Sequence, residues 1–183
     1  MLHPEIKKEE NIAEYIILMY QIEEIVRLFS FDEASVLSLL TGDGPSENQK
    51  MTDLREFYRT FIQDMREQGI EKVGHLEELK EIVIELIYLH NTLLTLVNDD
   101  KYKSICLEAN EDIQAFKIKS KLEKNHEVEV ILHAMFMKMQ LKLRKQEITA
   151  ETEASMDRMR VQLAYLSREY KRMKSGEWNY IRN

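Results

Sequence analysis

LEELKEIVIELIYLHNTLLTLV, residues Leu76 to Val97, decides the fold of this chain. Leu76, Leu79, Val83, Leu86, Leu93 and Val97 fall on one stripe of a helix, with His90 on the same stripe between Leu86 and Leu93. A second stripe runs through Ile82, Ile84, Ile87, Leu89, Leu94 and Leu96. Apart from His90, no charged or titratable side chain other than Tyr88 follows Glu85 until Asp99. A helix apolar on nearly every side is expected to be surrounded by other helices. Its first turns carry too many glutamates for a bilayer span, which needs about 20 apolar residues. Burial of each Leu or Ile contributes roughly 1.5–3 kcal/mol, so this segment can anchor a domain.

The totals agree with one globular domain. The chain has 183 residues, of which 44% are hydrophobic and 32% charged, so it can bury a core and is not of disordered composition. At this size no disulfide or metal is needed to stabilise the fold. Cys106 is the single cysteine, which excludes an intramolecular disulfide and points to a reducing compartment. The first residues, MLHPEIKKEENIAEY, lack the apolar core of a signal peptide, so the expected location is cytoplasmic. Net charge is −7, divided into −12 before Lys138 and +5 from Lys138 onward. Such a body can be self-complementary or offer its basic end to an anionic partner.

Working outward from Leu76, the same helical period recurs on both sides. Ile12, Tyr15, Met19, Ile22, Val26 and Phe29 form a stripe behind Asn11, which with Glu14 has the form of a capping box. Asp32 and Thr149 are further cap residues, Asn98-Asp99-Asp100 ends the central helix and caps the next, and the Gly42–Ser46 stretch is the clearest loop. One unbroken helix from Lys101 to Glu147 would run about 70 Å, so a break is expected near Lys124–His126, with Asn125 as its cap. Helices are therefore expected at about 11–29, 32–41, 47–68, 75–97, 100–122, 126–147 and 149–175, with an aromatic tail at 177–183. The fold class is all-α, a single-domain antiparallel bundle of six or seven helices with short connections. No strand-like alternation and no internal repeat is present.

Glu10-Asn11-Ile12-Ala13-Glu14-Tyr15-Ile16, followed by Tyr20-Gln21-Ile22-Glu23-Glu24, resembles the start of a family of small, functionally uncharacterised helical proteins from bacteria. The resemblance implies a single-domain, all-α, cytoplasmic bacterial protein. It brings no catalytic or binding residue with it.

Few residues carry chemistry. His90 is expected to be a buried histidine with one satisfied hydrogen bond; a role in proton transfer or ligation would need a partner from another helix. Glu123, His126, Glu129 and His133 form the richest constellation. Glu-x-x-His is half of a di-iron pattern, and the second half is missing. His126 and His133 lie about 10.5 Å apart along one helix, too far to share an ion. Glu129 and His133 are the only metal candidates this leaves, as an exposed pair. Cys106 reads as a small buried hydrophobe. There is no nucleophile elbow, phosphate loop, dinucleotide fingerprint or zinc-protease motif. Hence no cofactor is expected.

Two readings of function follow. The first is a non-enzymatic interaction module that binds a protein partner or a second copy of itself, with Trp178, Tyr180 and Ile181 as a possible contact surface. The second is a small-ligand binder or enzyme whose site is assembled between helices around His90. Arg168, Lys171 and Arg172 should face solvent, joined by Lys138, Lys142, Arg144 and Lys145. Acidic residues at the start of that last helix and basic ones at its end are what the helix dipole favours, so no nucleic-acid partner is expected, and no membrane.

Overall fold

The structure, a computed structural model, describes residues 4–42 and 49–178. Its helices are α1 (Pro4–Glu10), α2 (Ile12–Leu28), α3 (Glu33–Thr41), α4 (Gln49–Glu67), α5 (Glu77–Thr95), α6 (Asp100–Ser120), α7 (Glu127–Leu143) and α8 (Ala150–Lys174). The fold is all-α: 79% of the described residues are helical and none forms a strand. All seven expected helices are present, each within a few residues of its expected bounds.

Eight helices, rather than six or seven, make up the described residues. The extra one is α1, PEIKKEE, which has no apolar stripe to betray it. It starts at a proline, whose fixed φ suits the first helical position. It is pinned to its neighbours by charge, with Lys7 on Glu14 at 2.7 Å and Lys8 on Glu78 at 2.5 Å. A second difference is the cap between α6 and α7. His126, not Asn125, caps α7: its Nδ1 accepts from the Val128 amide, while Glu129 accepts from the His126 amide at 2.7 Å. The last turn of α6 is closed by Lys121 in the left-handed region at φ 57°.

Helix α8 is the organising contact of the bundle, packing against α2, α5, α6 and α7. Short connections join α5 to α6, α6 to α7 and α7 to α8, and each of these pairs is in contact, so neighbours run antiparallel. Helices α3 and α4 pack on each other beside this bundle. The core runs through Tyr15, Ile16 and Ile22 of α2, Leu86, Leu89 and Leu93 of α5, Val130 and Ile131 of α7, and Leu166 of α8. Helix α5 is not enclosed on every side: Ile84 is 62% exposed and Tyr88 68%. Its second stripe splits, with Ile82 and Leu89 inside and Ile84 and Leu96 outside.

The start of α5 shows how the elements depend on each other. Leu76 occupies its N-cap position and offers no side-chain acceptor. The caps come from elsewhere in the chain. Glu23 of α2 accepts from the Leu76 amide at 2.9 Å, and Gln68, just past α4, accepts from the Glu77 amide at 2.8 Å. The second oxygen of Glu23 accepts from His75 Nδ1 at 2.5 Å. A fully buried carboxyl group is thus matched by two donors at a helix N-terminus. At α2 the expected cap is present: Asn11 Oδ1 accepts from the Ala13 and Glu14 amides and from Ser167 Oγ of α8.

Removing either acceptor strands buried donors, and the two costs should differ. Glu23→Ala should destabilise by about 2–3 kcal/mol, chiefly because the buried Leu76 amide loses its acceptor. Asn11→Ala should cost about 1–2 kcal/mol, as for an N-cap. Urea unfolding of both variants beside the parent chain checks the size and the order.

Candidate functional site

A cleft of about 430 Å³ opens where α2, α5 and α7 meet. One wall is apolar, made by Val83, Ile84 and Ile87 of α5 with Leu122. The other side is polar, made by Tyr20, His75, Lys80, Asn125, Glu129 and His133. These residues are distant in sequence. The trans cap at the start of α5 brings His75 against α2, and the turn after α6 brings Asn125 and Leu122 over α7.

The hydrogen bonds decide what the cleft offers. Glu129 is committed to the His126 amide, and Glu23, beneath His75, to His75 and the Leu76 amide. Because Glu23 accepts from Nδ1 of His75, the opposite ring nitrogen, Nε2, remains for a further hydrogen bond. The Tyr20 ring stacks on His75, with centroids 3.7 Å apart. Burial, followed by the charges of Glu23 and Glu129, pushes the Tyr20 phenol up, so it stays protonated. Burial and the nearby His75 push His133 down from its ordinary 6.5, so it is neutral at pH 7, with one donor and one acceptor nitrogen. The polar side of the cleft is therefore rich in donors, and its carboxyl groups are already engaged.

Glu129 and His133, the only metal candidates left by the sequence, both line the cleft. Glu129 completes the α7 cap, and the His133 ring lies against Phe116, centroids 6.2 Å apart. The sequence reading missed Tyr20, Glu23 and His75. Glu23 carried a readable signal: it continues the buried stripe Ile12, Ile16, Met19, Glu23, Val26, and a carboxyl group on such a stripe has to find donors. His75 lies in a turn and carried none.

His90 is buried as expected, but with partners on both nitrogens. Nδ1 lies 2.8 Å from the Tyr102 hydroxyl of α6 and Nε2 lies 3.3 Å from Glu127 Oε1 of α7. A carboxylate can only accept, so Nε2 carries the proton and Nδ1 accepts from Tyr102. The chain of contacts continues. Gln162 of α8 donates to Glu127 at 2.7 Å, and the His126 ring stands edge-on to His90, centroids 5.2 Å apart. Tyr102 stacks on Tyr165, whose hydroxyl donates to the cap residue Asp99 at 2.7 Å. Cys106 is half-buried at the same place, and burial with the charge of Glu127 pushes its thiol up to about 12.

The C-terminal features divide. Trp178 packs half-buried against the core, while Tyr180 and Ile181 lie outside the described residues. Arg168 and Lys171 are exposed and Arg172 half-exposed, yet both arginines clasp Glu169, a fully buried carboxylate, at 2.8 and 3.0 Å. Lys138 and Lys142 do not extend that end. They pair with Glu153 in the first turn of α8, at the opposite end of the helix, and Lys138 is buried in doing so. No helix among the described residues is long and apolar enough to cross a membrane.

Three histidines give the fold a pH dependence. Burial is the leading cause that lowers His90, His126 and His133 below an ordinary 6.5. Each binds a proton more readily unfolded than folded, so stability rises with pH between the folded value and 6.5. It is complete above that window and declines as pH falls below about 6.5. The lowered carboxyls Glu85, Asp112 and Glu153 act only further down, below about 4.5. Urea unfolding at pH 7.5 and pH 5.5 should show the loss, and His90→Gln with His133→Gln should flatten it whatever the variant's absolute stability.

No curated protein and no solved structure matches the chain. A family model does, over residues 1–177, described as a domain of unknown function. With nearly the whole length matched, the chain belongs to the DUF4924 family.

Proposed function

We propose that this protein binds a small organic molecule in the cleft between α2, α5 and α7, and that the molecule has an apolar body and an acceptor-rich head such as a carboxylate. One observation carries the reading: an apolar wall faces a polar side whose carboxyl groups are already satisfied within the protein. That leaves the Tyr20 hydroxyl and the His133 ring to meet a ligand, with the Asn125 amide donating to Glu129 at 3.4 Å and the Lys80 ammonium in an exposed pair with Glu77 at 3.1 Å beside them. Apolar lining with a few convergent polar groups is the usual make-up of a small-molecule site.

The interaction module, the first reading of the sequence, stands second here. Ile84 and Tyr88 favour it: Ile84 lines the cleft and is exposed, and Tyr88 stands exposed one turn further along α5. A partner could place a side chain in the cleft and cover both. A bacterial, cytoplasmic setting accords with either reading.

Butanoate, hexanoate, octanoate and benzoate, titrated into isotope-labelled protein and followed by NMR, test the proposal. Saturable shifts confined to the cleft are expected, strengthening from butanoate to octanoate as apolar contact grows. His133→Leu should weaken binding at least tenfold, which is about 1.4 kcal/mol. The absence of saturation for all four acids at about 10 mM, well above the ~1 mM affinity that corresponds to only about −4 kcal/mol, would exclude the proposal.

A further inference from the structure

The cluster around His90 has a composition that the cleft does not need. It takes one residue from each of three helices, His90 of α5, Cys106 of α6 and Glu127 of α7, and one potential ligand atom from each lies within 4.8 Å of the other two. We infer that these three residues form a binding site for a divalent transition-metal ion, of which Zn²⁺ suits the donor set best.

The donor set is the first argument. Imidazole, thiolate and carboxylate are the three side-chain ligands of zinc. Bonds of about 2.0–2.3 Å in a tetrahedron place neighbouring ligand atoms roughly 3.3–3.8 Å apart. His90 Nε2 and Glu127 Oε1 are already 3.3 Å apart. The remaining closure, about 1 Å at most, falls on Cys106, whose short side chain is half-buried and able to rotate.

The surroundings are the second argument. Metal-binding histidines are held through their other nitrogen, and ligating carboxylates are hydrogen-bonded in turn. Both supports exist here: the Tyr102 hydroxyl on His90 Nδ1 at 2.8 Å and the Gln162 amide on Glu127 at 2.7 Å. The third argument is independent of these. Gln162 is 1% exposed, and its Oε1 has no hydrogen-bond partner. Its amide cannot be turned over to repair this, because that would set an oxygen against the Glu127 carboxylate. A buried acceptor beside the three ligands lacks a donor, and a metal-bound water supplies one.

Binding redistributes protons in a defined way. Cys106 releases its thiol proton to solvent as it becomes a ligand. His90 stays neutral but changes tautomer: Nε2 gives up its hydrogen to face the metal, and Nδ1 gains one and donates to the Tyr102 oxygen. Access is through a recess of about 330 Å³ lined by Cys106, Glu127, Lys103 and Asn110. Three protein ligands with an open fourth position is the arrangement of zinc sites that bind water or substrate.

The test is titration of the reduced, metal-free full chain with Co²⁺, followed by displacement with Zn²⁺. A saturable one-to-one signal is expected, with a thiolate-to-cobalt charge-transfer band in the near ultraviolet and strong tetrahedral bands in the visible. Zn²⁺ should abolish both. Cys106→Ser should remove the charge-transfer band, and Glu127→Gln should weaken Co²⁺ binding at least tenfold, with circular dichroism confirming that each variant is folded. If a variant fails to fold, the parent chain still decides the matter, since only a bound thiolate gives the ultraviolet band. No saturable binding, a cobalt spectrum without that band, or unchanged affinity in folded Glu127→Gln would overturn the inference and leave the cluster as a hydrogen-bond network.

Discussion

Glu23 is the residue on which the arrangement turns. It is a fully buried carboxyl group on the apolar stripe of α2, and it is tolerable there only because α5 begins against it. The central helix, in turn, has no cap of its own and takes Glu23 and Gln68 as substitutes. Each group would be costly without the other, so the two elements specify one relative position far more sharply than apolar packing alone does. The cleft follows from it. His75, the residue before the Leu76 cap position, is drawn onto Tyr20, and the space between α5 and α7 is left open above them.

The same economy of partners runs through α8. Its buried face carries Gln162, Ser167 and Glu169 among the hydrophobic residues, and each has a polar partner. Gln162 steadies Glu127, Ser167 supports the α2 cap through Asn11, and Glu169 holds two arginines. Gln162 and Ser167 thus act as fixed points between helices, while the charge of Glu169 is met within α8 itself. This is why a set of helices with ordinary apolar stripes settles into one register.

What could be read from the sequence was what local physics determines. The caps Asn11, Asp32 and Thr149 each accept the amide hydrogen bonds expected of them, Asp99 supplies the cap expected within Asn98-Asp99-Asp100, and the apolar period located seven helices. Pro4–Glu10 escaped because it is held by ion pairs and has no stripe. Ile84 and Tyr88 looked like part of an enclosed helix, since periodicity says which residues share a face but not whether a neighbour covers it. The candidate sites were hidden for a stronger reason. His90, Cys106 and Glu127 lie on three different helices, as do Tyr20, Lys80 and His133, and no local pattern encodes which helices will meet. Glu23 alone was visible in principle, as a carboxyl group out of place on a buried stripe.

The bond from Ser167 to Asn11 spans 156 residues. On a ribosome adding about 5–20 residues per second, Asn11 would wait roughly 8–30 s for its partner to be made. For most of that interval the buried face of α2, with Tyr15, Ile16, Met19 and Ile22, lacks the α7 and α8 surfaces that cover it. The first long helix to be synthesised is among the last to be enclosed. The growing chain must shield an apolar stripe for most of its own synthesis, either against α1 and the early helices or with a chaperone.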